Sequence, residues 1–295
     1  MSFELASSLG TALRAAATAL SLACAVGVSA APSLAATAGA TALASHRAVY
    51  DLALTEADDR SAIGQVHGRL VTEFVGDACE GYTLNMRRVL RIVNTGGETN
   101  TFDTVSTSWE SGDGNDMRFG SRLYVNGELS ETDDLEGVAT LGRDGAEGSV
   151  TYVKPKQIEL PLPADTVFPV EHSQQILDIA RAGETISRSL VFDGGEFDKL
   201  YTAVTFIGAR MAPGEVPLPQ DAAMAAALAD LAAWNVSVSY YEDSQATASE
   251  QLPAYEVRVI LFDNGVATEL KLVYEGFSLS GELTDLKIFE PGDCE

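Results

Sequence analysis

Apolar and polar residues alternate with a period of two along most of the chain. From 46 to 54, Ala48, Tyr50, Leu52 and Leu54 fall on one face. Val66, Leu70 and Phe74 share a face against His67, Arg69 and Glu73. Tyr82, Leu84, Met86, Leu90 and Ile92 oppose Thr83, Asn85, Arg87 and Arg91. Successive side chains of a strand point to opposite faces, so the alternation predicts long, half-buried strands of antiparallel character. Further strands are predicted at 185–193, 199–207, 234–241, 255–262, 266–274 and 277–288. Two Asn-Gly pairs, Asn126-Gly127 and Asn264-Gly265, separate such runs. They predict type I′ hairpins, whose two central residues both need positive φ.

Two stretches break the alternation. The first opens at Phe168-Pro169, carries His172, Ile176, Ile179 and Ala180 at helical spacing, and stops before Gly183. Proline suits a first turn and glycine a helix end, so a helix is predicted over about 168–182. The second, 211–233, begins with Pro213, Pro217 and Pro219 and continues as DAAMAAALADLAA. Alanine favours helix over about 220–231. Its apolar stripe is thin (Met224, Leu228, Leu231), so the segment reads as a mobile excursion between strands rather than a partner-binding helix. Pro155, Pro161 and Pro163 mark a linker that could divide the chain into halves. Composition does not shift across it, so 45–295 is predicted to be one domain, mainly β.

Residues 1–44 are of another kind. Glu4 and Arg14 are their only charges, and 15–44 has none. The most apolar run, 15–28, fits the hydrophobic stretch of a signal peptide. Small-x-small cleavage options follow, ending at Ala30, Ala35 and Ala44, and cleavage after Ala44 is favoured. The alternatives are a membrane helix, for which Pro32, Gly39 and the Ala/Ser/Thr content are poor, and lipidation at Cys24, which lies inside the apolar run. No later stretch approaches the ~18 apolar residues of a span. Cleavage removes Cys24 and leaves Cys79 and Cys294. An even count in an exported chain points to one disulfide, with two free thiols as the alternative. The chain-entropy model values a cross-link closing so long a loop at roughly 5 kcal/mol, an upper figure.

The 295 residues carry 43 Asp and Glu against 19 Lys and Arg, a net charge of -24. Such a polyanion is repelled by nucleic acid and by anionic membrane surfaces. With 46% hydrophobic residues the chain can still bury a core. Catalytic motifs are missing: there is no G-x-S-x-G elbow, P-loop or dinucleotide fingerprint. The three histidines, His46, His67 and His172, have no zinc spacing. Glu171-His172 are helix neighbours about a third of a turn apart and form no dyad. Gly112-Asp113-Gly114 reads as a hairpin turn. A calcium loop would need an oxygen ligand where Met117 stands. No catalytic, cofactor-binding or metal residue is therefore assigned.

Several segments together resemble the EipB family of alphaproteobacterial periplasmic cell-envelope integrity proteins. They are HRAVYDLAL (46–54), GRLVTEF leading into DACEGY (77–82), the glycine-aspartate turn before MRF, LYVNGEL (123–129), LPADTVFPVEH (162–172) and WNVSVSYYED (234–243). The resemblance covers most of 46–294, in matching order. It implies a long antiparallel sheet curled into an open spiral or barrel, with the 168–182 helix packed against it. It implies that Cys79 and Cys294 carry the family's disulfide. It also implies a non-enzymatic role in envelope maintenance, exercised with other periplasmic proteins, including helical-repeat scaffolds. The Ala-rich 211–233 segment has no counterpart in that pattern. A second function is carriage of lipid or another hydrophobic ligand, because a curled sheet with an apolar inner face can enclose an acyl chain. The helix around Ile176 would then be its plug.

Overall fold

The computed structural model describes residues 42–142, 145–242 and 252–290. Within them the chain builds a single sheet of sixteen strands. The first half runs β1 (His46–Ala57), β2 (Ile63–Asp77), β3 (Gly81–Asn94), β4 (Thr99–Glu110), β5 (Asp116–Val125), the short β6 (Glu128–Leu129), β7 (Leu135–Thr140), β8 (Gly148–Lys154) and β9 (Ile158–Leu162). Then come β10 (Thr166–Val167), helix α1 (Pro169–Ala182), β11 (Ile186–Val191) and β12 (Tyr201–Ile207). Helix α2 (Ala222–Leu228) precedes β13 (Ala233–Glu242), β14 (Tyr255–Phe262), β15 (Ala267–Tyr274) and β16 (Phe277–Ile288).

The strand order is β10-β11-β12-β13-β14-β15-β16-β1-β2-β3-β4-β5-β7-β8-β9, with β6 paired on β5. The chain thus starts in the middle of the sheet, zigzags to one end, and returns from the other end to pair β16 with β1. All ladders are antiparallel except β10 with β11. The two ends of the sheet, β9 and β10, are consecutive in sequence. Only residues 163–165 join them, a reach of at most roughly 14 Å. A flat sheet of this width could not satisfy that reach, so the sheet curls until its ends meet. The result is a nearly closed, barrel-like body.

Inward positions are those that the alternation selects. Ala48, Tyr50, Leu52, Val66, Leu70, Leu90, Leu272 and Leu279 are buried in one cluster. The seam between the sheet ends is aromatic. Phe119 of β5 meets Phe192 and Tyr152 edge-on, with ring centroids 5.5 and 5.6 Å apart. The Tyr152 hydroxyl accepts the Asp198 N–H at 3.0 Å. Pro161 in β9 is tolerated because β9 is an edge strand.

Helix α1 matches the predicted helix. Phe168 is its N-cap, Pro169 opens it, and Gly183 closes it with φ 78°. Its Ile176, Leu177 and Ala180 pack on Ala203, Trp234 and Val236 of β12 and β13. One hairpin departs from expectation. Asn126 and Gly127 both have positive φ (54° and 88°), as a type I′ turn requires. At 264–265 only Gly265 does (88°). There the Phe262 N–H donates to Val266 O and the Gly265 N–H to Phe262 O, both at 2.8 Å. That is a three-residue loop closed by a left-handed glycine. The Asn264 side chain instead accepts the Val266 N–H at 3.1 Å.

The Ala-rich segment also needs correction. The helix is shorter than 220–231, because Asp221 caps it by accepting the N–H groups of Ala223 and Met224. The segment is an excursion between strands, as expected, but its stripe is packed against the sheet rather than left free. Met224 is buried in the main inner cluster, and Leu228 packs with Val216, Ile260, Phe262 and Val266. The Met211–Ala233 bridge closes the excursion at its base. Two well-placed side chains anchor a helix that its composition alone made look unpartnered. Leu228→Ala is expected to cost about 2–5 kcal/mol of unfolding free energy in urea titration. The exposed neighbour change Ala226→Ser should cost well under 1 kcal/mol.

Candidate functional site

The curled sheet leaves its interior partly unfilled. A chamber of about 330 Å³ lies between the inner faces of β1, β2, β13, β14 and β15, with α1 across it. Its wall is apolar, built from Leu70, Phe74, Val236, Val257, Val259 and Leu261 among others. Period-two strands place these side chains there, and α1 adds Val170, Ile176 and Leu177. A second chamber of about 250 Å³ shares Leu84, Pro169 and Ser173 with the first. Its wall is more polar, with Ser106, Ser108, His172, Asp193, Tyr240 and Tyr255. Both volumes are near or within the usual range of small-molecule pockets.

Several polar groups punctuate this interior. Tyr50 donates its hydroxyl to Ala267 O at 2.8 Å. Glu110, at the end of β4, is only 2% exposed, and its Oε2 accepts the Val170 N–H at 3.0 Å. The Phe168 N-cap has no side-chain acceptor of its own, so a carboxylate from β4 takes over that duty at the start of α1. Burial pushes the Glu110 carboxyl up to about 7. His172 is 4% exposed, its Nε2 has no hydrogen-bond partner among the described residues, and burial lowers it to about 4. Burial raises the carboxyl of Asp193 and the hydroxyls of Tyr240 and Tyr255. Tyr240 and Tyr255 stack with centroids 4.5 Å apart.

Arg88 lies in the inward phase of β3, between Met86 and Leu90. Its guanidinium donates to the Tyr274 hydroxyl of β15 at 3.0 Å, a bond that crosses the interior. Among the described residues Arg88 forms no ion pair. Arg69 and Arg87, on the outer face, each pair with an aspartate at 2.8 and 2.7 Å.

The residues singled out from sequence are placed as follows. His46 lines the first chamber, and its Nδ1 lies 2.7 Å from Ala44 O. His67 is exposed on the outer face. His172 lines the second chamber. Glu171 turns away from His172 and accepts from Gln175 at 3.0 Å, so the two form no dyad. The Gly112-Asp113-Gly114 stretch is a turn. There the Asp113 carboxylate accepts from Ser111 Oγ at 2.6 Å and from Asn115 Nδ2 at 2.8 Å. No group of three His, Cys, Asp or Glu among the described residues is placed to hold a metal. Cys79 stands in the β2–β3 turn and is disulfide-bonded. Its expected partner Cys294 lies outside the described residues, as does Cys24. Ala44 is described, and its N–H donates to Asn264 O at 2.9 Å.

Glu110 and Arg88 escape a reading by sequence. Glu110 ends a strand rich in Thr and Ser and looks like any other surface acid among the 43 Asp and Glu of the chain. For Arg88 the signal is present, because it shares the phase of Met86 and Leu90, but one charge in an apolar row is easily passed over.

Comparison with known proteins follows the same outline. The model of the EipB-like family matches residues 37–290. The chain is 34% identical over 251 residues to the cell envelope integrity protein EipB of Brucella abortus (strain 2308), covering 85% of this chain and 86% of that one. A crystal structure of a beta-barrel-like protein of the domain of unknown function DUF1849 from Brucella abortus superposes with a TM-score of 0.76. It shares 32% identity and covers 85% of this chain and all of that one.

Glu110 and His172 oppose each other as pH changes. Folding raises Glu110 from 4.5 to about 7, so its contribution is complete below pH 4.5 and is lost as pH rises through 7. Folding lowers His172 from 6.5 to about 4, so its contribution is complete above pH 6.5 and is lost as pH falls towards 4. Each effect reaches about 3 kcal/mol. Urea titrations between pH 4.5 and 6.5 should show stability rising with pH in Glu110→Gln and falling with pH in His172→Phe, relative to the parent.

Proposed function

This chain belongs to the EipB-like family, and on that premise we propose that it is a periplasmic, non-enzymatic protein that supports the integrity of the cell envelope. The observation that carries this reading is the 34% identity to a cell envelope integrity protein, extending over 86% of that protein's length. The low-charge N-terminal 44 residues, ending at Ala44, act as the export signal. The protein works by holding other envelope proteins, including helical-repeat scaffolds, rather than by turning over a substrate. Deletion of the gene in the native host is expected to sensitise cells to detergents and to cell-wall antibiotics, and expression of this chain to restore resistance. Unchanged sensitivity of the deletion strain would overturn the reading.

Cys79 and Cys294 pair in the exported protein, tying the β2–β3 turn to the chain end. Cys294→Ser should lower the thermal midpoint in calorimetry by as much as full reduction lowers that of the parent. A midpoint insensitive to reductant would remove the disulfide from the account.

A second reading rests on the 330 Å³ apolar chamber. A sheet that supports the envelope only as a scaffold has no use for an unfilled interior, since empty apolar space forfeits dispersion contacts. In this reading the protein holds a lipid or another hydrophobic ligand, with α1 as the plug over its tail.

A further inference from the structure

The interior contains one feature that an apolar ligand alone leaves unexplained. Arg88 projects inward from β3, is half-buried, and has a neutral hydroxyl as its hydrogen-bond partner. A guanidinium removed from bulk water without a counter-charge is costly. This chain has aspartate and glutamate in excess, and outward Arg87, one residue away, takes Asp103. Among the described residues no carboxylate is placed on Arg88.

The surroundings indicate what would be placed there. Arg88 and Tyr274 lie next to the wall of the second chamber rather than in it: Met86, two residues before Arg88, and Tyr255, the ladder partner of Tyr274, both line it. Ser106 and Ser108 of neighbouring β4 add hydroxyls to the same wall. Leu84, two residues further along β3, lines both chambers, so the path continues into the apolar one. From Arg88 to Leu84 is roughly 13 Å along the strand. Leu70, the ladder partner of Arg88, and Phe74, the ladder partner of Leu84, both line the apolar chamber, so an anion at Arg88 would leave an attached chain running from Leu70 towards Phe74, against Val257 and Val259.

We propose that Arg88, with the Tyr274 hydroxyl beside it, anchors the anionic head of a single-chain amphiphile whose tail occupies the apolar chamber. The proposal rests on the ligand-holding reading above and adds the head-group chemistry: a carboxylate or a phosphate, each able to accept two guanidinium N–H groups. The two heads differ in source, a free fatty acid or a lysophospholipid, and the test separates them.

The purified protein, stripped of bound lipid, is titrated calorimetrically with dodecanoate, with lauroyl lysophosphatidic acid and with uncharged 1-monolaurin. At least one anionic probe should bind more tightly than monolaurin, and the tighter of the two identifies the head. Arg88→Met, which keeps the apolar stem, should weaken the anionic probes about ten- to a hundredfold and leave monolaurin unchanged. If Arg88→Met does not fold, Tyr274→Phe replaces it, with an expected loss of about two- to tenfold for the anions alone. Equal affinity for all three probes, or variants that bind anions like the parent, would overturn the Arg88 anchor and leave the ligand-holding reading standing. Failure of all three probes to bind would overturn both.

Discussion

The three residues between β9 and β10 are the constraint on which the rest of this structure depends. They connect the two extreme strands of a sixteen-stranded sheet, and so short a link forces the sheet round on itself. Pairing of the first strand with the last, β1 with β16, joins the two halves into one continuous sheet. Most ladders join strands that are neighbours in sequence, so the long loops are closed at two places only, the β1–β16 pairing and the approach of β9 to β10. Closing such loops costs entropy before any burial offsets it. The aromatic seam of Phe119, Tyr152 and Phe192 supplies local compensation where the ends meet, each ring pair adding about 0.5–1.5 kcal/mol beyond its area.

A ring of strands this wide has more interior than its own side chains fill. Helix α1 occupies some of the space, and its position is held by interactions that do not come from the helix. Glu110 of β4 satisfies its first turn, and the β12–β13 face receives Ile176 and Leu177. The remaining volume is divided by chemistry. On one side of Leu84 the wall is aliphatic. On the other it carries Ser, Tyr, His and Asp, and Arg88 lies next to both, two residues from Met86 of the polar wall and paired with Leu70 of the aliphatic one. A purely structural core has little reason to keep this polarity gradient, since each buried polar group must recover the water it gives up.

Reading the sequence recovered the strands of the second half closely, since β14 and β16 begin and end where the alternation does. It recovered α1 because Pro169 and Gly183 are local signals. It went wrong at 264–265, where the choice between a two-residue and a three-residue loop depends on the register of the flanking strands. It misjudged 211–233 because the partners of Met224 and Leu228 lie on strands remote in sequence. The strands between 135 and 162 were passed over, being short and interrupted by Pro155 and Pro161. EipB-like membership was recognisable from ordered segments, because turn and cap residues are tied to local backbone geometry.

The sequence by itself determined a mainly β chain, the inward and outward faces of its long strands, the ends of its principal helix and its strongly acidic surface. These follow from neighbours within a few residues, through side-chain alternation and backbone sterics. Only the tertiary structure decided that the sheet closes, that the Ala-rich helix packs into it, that Glu110 serves a helix sixty positions away, and that Arg88 and Tyr274 meet across the interior. Those outcomes depend on which distant strands share a wall, and the curvature of the nearly closed sheet settles that.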